Sequence, residues 1–117
     1  MWKRNVVFDF DGVIHSYESG WQGVTIIPDP PVEGIHDLLK SLSKKYDITI
    51  VSSRCVTSAG IEAIWEYLEK YGLDEYIKQV SDTKPPAYVS VDDRAICFNG
   101  DCTSLEEKID NFKVWNK

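Results

Sequence analysis

Paired cysteines, an excess of basic residues and long apolar runs are all missing from this 117-residue chain. Cys55, Cys97 and Cys102 are odd in number and contain no CxxC spacing, so neither a disulfide framework nor a cysteine-rich zinc site is indicated. Buried or half-buried thiols are expected for all three. A nucleophilic Cys55 would need a histidine partner, and neither His15 nor His36 lies in a motif that links it to that position. Lys and Arg number 13 against 19 Asp and Glu, a net charge of −6 with no basic cluster. That balance argues against a nucleic-acid partner, and it requires locally placed cations to hold any anionic ligand. No apolar run reaches the roughly 18 residues of a membrane span. The run Val6-Val7-Phe8 is too short for a signal peptide and is broken by Asp9. The expectation is a cytoplasmic single domain over residues 1–117, with no membrane partner. A hydrophobic content of 43% supplies a core without covalent staples.

Val6, Val7 and Phe8 are apolar in succession rather than in alternation, the pattern of a strand buried on both faces of a parallel sheet. Residues 5–10 are therefore read as a strand, and Ile48 to Val51 as a second. A helix is expected over 32–45, with Ile35, Leu38, Leu39 and Leu42 on one stripe. Another is expected over 57–71, with Ile61, Ile64, Trp65 and Leu68 in register and Gly72 as its C-terminal cap. Short strands are expected at 77–80, 87–91 and 95–98. Ser104 and Glu107 suggest a capping box that opens a last helix. Strands alternating with helices of these lengths imply βαβ units with right-handed crossovers, an α/β fold with a three-layer, Rossmann-like parallel sheet.

Three apolar strands run into polar clusters: Asp9-Phe10-Asp11-Gly12, Ser52-Ser53-Arg54 and Asp92-Asp93-Arg94. In open α/β sheets the ligand crevice lies outside the carboxyl ends of the strands, so all three clusters belong to one rim. Four carboxylates there repel one another, and burying them requires a cation. An all-oxygen donor set without paired His or Cys suits Mg²⁺ better than zinc or copper. Lys84, eight residues before Asp92, adds positive charge to the same rim. Aspartates that merely cap loops are the plainer alternative, and the repetition at two strand ends weighs against it.

Taken in order, these residues resemble the four motifs of the haloacid dehalogenase (HAD) superfamily. Asp9-Phe10-Asp11-Gly12-Val13 is similar to its first motif, and Ser52 closing a strand to its second. Lys84 before Pro85 is similar to the third, and Val91-Asp92-Asp93 to the fourth. The resemblance implies a HAD-like sheet of strand order 5-4-1-2-3 and a magnesium-dependent phosphomonoester hydrolase. In that chemistry Asp9 attacks phosphorus to give an aspartyl-phosphate. Asp11 serves as general acid and base, a task for which its pKa should be raised. Ser52 and Lys84 hold the phosphoryl oxygens. Mg²⁺ is bound by Asp9, the Asp11 backbone carbonyl, Asp92 and Asp93. Lys78 competes weakly with Lys84 for the third motif, and Ser53 is expected to point away. Asp82, Thr83 and Arg94 are read as structural.

The intervals in which the superfamily inserts cap domains are short here. Residues 12–31 have room only for a β-hairpin flap, and 54–83 only for a helix and a short strand. No cap domain is expected. His15, Tyr17, Trp21 and Gln22 in the flap are candidate substrate contacts. An idle loop histidine and core packing are the alternatives for His15 and Trp21. Arg54 forms a Ser-x-Arg pattern similar to that of the phosphatase domains of polynucleotide kinases, and a surface salt bridge is its alternative. The expected ligand is a small phosphorylated substrate. A polynucleotide 3′-phosphatase-like enzyme and a non-catalytic metal- or phosphate-binding module remain as alternatives. Capless members of the superfamily often close their sites by oligomerising, so a homo-oligomer is compatible with the resemblance.

Overall fold

The computed structural model describes residues 2–116. It contains a four-stranded, all-parallel sheet: β1 (Arg4–Asp9), β2 (Tyr46–Val51), β3 (Gln79–Ser81) and β4 (Val89–Val91), in the order β3-β2-β1-β4. That order reproduces the 4-1-2-3 portion of the expected arrangement. Residues 95–98 form no strand, so the fifth position is empty of regular structure.

The central strands follow their sequence pattern. Val6, Phe8, Ile48 and Ile50 point to one face, where they meet helix α1 (Ile35–Ser43) and helix α2 (Ser58–Lys70). Ile35 and Leu39 of α1 join Ile64, Tyr67 and Leu68 of α2 in the same core. Each fully buried aliphatic side chain of this kind contributes about 1.5–3 kcal/mol. Thr57 opens α2 by accepting the Gly60 N–H at 3.1 Å. Gly72, at φ +69°, ends it in the left-handed conformation a C-terminal cap favours.

The opposite face departs from the three-layer expectation. The last helix, α3 (Leu105–Asp110), places no residue in the core. The Ser104 side chain makes no capping bond, and its hydroxyl turns to Asp101 instead, at 3.4 Å. The connection from β3 to β4, residues 82–88, crosses from one edge of the sheet to the other without a helix. The expected hairpin in 12–31 does not form either. Apart from isolated bridges pairing His15 with Asp11 and with Pro31, the segment is turns and loop. Three prolines, at 28, 30 and 31, remove ladder donors and oppose strand pairing there.

Candidate functional site

Side chains alternate faces along a strand, so Val7 and Asp9 point away from the helices that Val6 and Phe8 contact. Val7 pairs in register with Ser90 and Phe8 with Val91. The chain leaving β4 therefore carries Asp92 and Asp93 alongside the end of β1. Carboxylate oxygens of Asp9, Asp92 and Asp93 all lie within 4.8 Å of one another. The Phe10 N–H donates to Asp9 Oδ1 at 2.9 Å and fixes that carboxyl group. Burial, the adjoining Asp93 carboxyl and the charge of Asp92 push the Asp9 pKa up to about 8. Asp93 Oδ1 is buried with no hydrogen-bond partner. Gly12, at φ +87°, packs so tightly on the Asp93 carboxylate that any Cβ at that position would overlap it.

Beside the carboxylates lies a cavity of about 460 Å³ whose lining includes Asp9, Ser52, Ser53, Asp82, Lys84 and Asp92. Lys84 forms no ion pair among the described residues. Lys78 does not compete for that place, because it pairs with Asp47 at 3.0 Å. The Ser52 hydroxyl accepts the Arg54 N–H at 3.2 Å and starts a 3₁₀ turn over Ser53–Val56. Ser53, expected to point away, also lines the cavity. Asp82 was read as structural and lines it too. Its position directly after β3 matches that of Asp92 directly after β4, which is the signal the sequence offers.

Asp11 behaves differently from Asp9. Its carboxylate accepts Arg54 Nε–H at 2.9 Å, Arg54 Nη2–H at 3.1 Å and His15 Nδ1 at 2.8 Å. The Asp29 N–H donates to His15 Nε2 at 3.1 Å, so Nε2 is the unprotonated nitrogen and Nδ1 carries the proton toward Asp11. Burial opposes ionisation of Asp11, yet these donors outweigh it and hold its pKa below the ordinary carboxylate value. The raised pKa expected for an acid/base residue is thus reversed, because a guanidinium and an imidazole take up the charge. The Asp11 carboxylate is also separate from the three-aspartate cluster.

The expected substrate contacts sit elsewhere. His15 and Arg54 are both 0% exposed and neither lines the cavity, which removes the idle-loop and surface-salt-bridge readings. Arg54 Nη1 donates to the carbonyls of Gly23, Val24 and Ile26 at 2.8, 2.8 and 3.2 Å. Trp21 is half exposed and lies over that guanidinium, 4.6 Å from ring centroid to Cζ. Neither Trp21, Tyr17 nor Gln22 lines the cavity. Cys55 is buried, and burial pushes its thiol pKa up, away from a nucleophilic thiolate. Cys97 and Cys102 are exposed, contrary to the buried thiols expected.

The arrangement brings three carboxylates close enough to share a cation together with a neighbouring ammonium, hydroxyls and a cavity at one strand-end rim. Compared with known proteins, the chain matches no family model, no curated protein and no solved structure at a significant level.

Proposed function

We propose that this chain is a magnesium-dependent phosphomonoester hydrolase in which Asp9 is the covalent nucleophile. The convergence of Asp9, Asp92 and Asp93 beside a cavity that also holds Lys84 and Ser52 carries the reading. The donor set fits Mg²⁺: all ligands are oxygen, Asp93 Oδ1 lacks a partner, and Asp9 is raised to about 8 by burial and by carboxyl neighbours whose charge a cation would neutralise. Asp9, Asp92 and Asp93 would hold the ion, with the Asp11 carbonyl as the HAD resemblance implies. When bound, Mg²⁺ supplies positive charge beside the phosphoryl oxygens.

In the first step an Asp9 oxygen bonds to phosphorus while the bond from phosphorus to the leaving oxygen breaks. Lys84 and the Ser52 hydroxyl hold the transferring group. Water then attacks phosphorus, inorganic phosphate leaves, and the Asp9 carboxylate is restored. Ionised and ion-paired, Asp11 is suited to accept the proton of that water. To donate a proton to the leaving oxygen, Asp11 must enter the first step protonated and released from Arg54 and His15; it leaves that step as a carboxylate and regains its proton from the attacking water. The internal placement of Arg54 gives no support to a polynucleotide-specific reading, and the net charge of −6 favours small substrates.

The test is hydrolysis of a panel of phosphomonoesters with and without Mg²⁺. Turnover is expected with the ion and loss of turnover with EDTA. Equal activity in metal-free buffer would refute the reading.

A further inference from the structure

We propose that Arg54 is a positioning residue that latches the flap segment to Asp11, so that this loop and the acid/base carboxylate are held as one unit. The inference rests on the hydrolase reading for the role of Asp11, and on geometry for the latch itself. One face of the guanidinium fork engages Asp11 through two nitrogens at 2.9 and 3.1 Å. Its remaining nitrogen reaches three carbonyls of the flap, those of Gly23, Val24 and Ile26. Those two groups of atoms lie about 30 and 43 residues from Arg54 in sequence, and the one guanidinium bonds both; His15, within the flap itself, adds a further bond to Asp11. Lysine cannot replace it, because a point-charged ammonium lacks the planar fork that serves both sides together.

The surroundings are built around this side chain. Trp21 covers the guanidinium with its ring. Ser52 accepts the Arg54 backbone N–H. Gly60, in the first turn of α2, comes so close to the Arg54 carbonyl and the Val24 side chain that a Cβ there would collide with both. The cavity itself is not lined by Arg54, so its influence on a substrate passes through Asp11 and the loop. An acid/base carboxylate that must turn toward the rim can do so only if this fork lets go, which ties its freedom to the position of residues 23–26.

Hydrogen exchange and kinetics on the full chain test the latch. The reporter is the Ile26 amide, which donates to the Gly23 oxygen that Arg54 also holds. Asp11→Asn, made far from that amide in sequence, is expected to speed its exchange roughly tenfold while amides in the middle of α2 are unchanged. Arg54→Lys is expected to do the same. Should that variant fail to fold, Asp11→Asn and Trp21→Ala carry the test, since Trp21 is half exposed. With an alkyl phosphate, whose leaving group needs a proton, Trp21→Ala is expected to lower kcat about fivefold in the wild-type background and to have no further effect in Asp11→Asn. Unchanged Ile26 exchange in Asp11→Asn, or full additivity of the two substitutions, would overturn the latch. If the wild-type chain turns over no phosphomonoester, the hydrolase reading fails, and the exchange result alone decides whether Arg54 couples flap and carboxylate.

Discussion

Asp9 and Asp11 are two residues apart and carry opposite electrostatic burdens: Asp9 faces the carboxyl groups of Asp92 and Asp93, whereas Asp11 faces the guanidinium of Arg54 and the imidazole of His15. The first is pushed toward its protonated form, to a pKa of about 8, and the second is held ionised. Two carboxyl groups driven apart in this way are suited to different tasks.

The raised Asp9 pKa has a consequence for stability. Its folded value of about 8 lies above the ordinary 3.8, so its contribution is fully present below pH 3.8 and is lost as pH rises through 8. The metal-free protein should therefore lose thermal stability between mildly acidic pH and pH 8. Mg²⁺ binds the deprotonated cluster, so the difference in Tm between Mg²⁺ and EDTA should widen over the same range. Differential scanning calorimetry at several pH values reads this directly. A constant difference would mean that the cluster does not hold the ion.

Removing the Asp9 carboxylate should stabilise the metal-free protein. Asp9→Asn eliminates one of three mutually repelling carboxyl groups and keeps its shape. At pH 8 in EDTA the variant should be more stable than wild type by about 1 kcal/mol, the usual scale for relieving a functional site. Urea unfolding measures it. A less stable variant would show that the Asp9 carboxylate is satisfied without a cation.

Gly12→Ala should damage the same cluster from below. The backbone there has φ +87°, and the added methyl group would displace the Asp93 carboxylate. The strained conformation costs about 1–3 kcal/mol. Isothermal titration should show Mg²⁺ affinity reduced by at least about tenfold. Unaltered affinity would remove Asp93 from the cation site.

Tyr67→Phe probes the scaffold behind His15. The Tyr67 hydroxyl donates to the Asp29 carbonyl at 2.9 Å in a buried setting, and the Asp29 N–H fixes the His15 tautomer. That substitution removes a buried hydrogen bond, at about 0.5–1.5 kcal/mol. Chemical denaturation should show that loss, with the midpoint moved and the slope kept.

Much of this was legible in the sequence because the deciding forces are local. Val6-Val7-Phe8 is a continuous apolar run and Ile48 to Val51 a β-branched one, and they form the two central strands. The i, i+3, i+4, i+7 stripe of 57–71 became α2, and Asp9 and Asp92 could be assigned to one rim because strand ends in a parallel sheet share an edge. What escaped depended on distant partners. Burial opposes ionisation of Asp11, and its pKa is lowered by His15, four positions on, and by Arg54, 43 positions away; nothing local to Asp11 announces the Arg54 pairing. Ser104 and Glu107 had the spacing of a capping box, but Asp101 offered the Ser104 hydroxyl a competing acceptor. The segment Ala95-Ile96-Cys97-Phe98 is apolar in succession but forms no strand.

The central claim is that phosphorus is transferred to Asp9, and intact-mass spectrometry after rapid quench tests it most directly. With an activated aryl phosphate and Mg²⁺, Asp11→Asn should accumulate one phosphate adduct, because the leaving group needs little protonation and no base activates the water. Fragmentation should locate the adduct on Asp9, and Asp9→Asn should give none. An adduct on Asp11 or any other residue, or normal turnover by Asp9→Asn, would contradict the account.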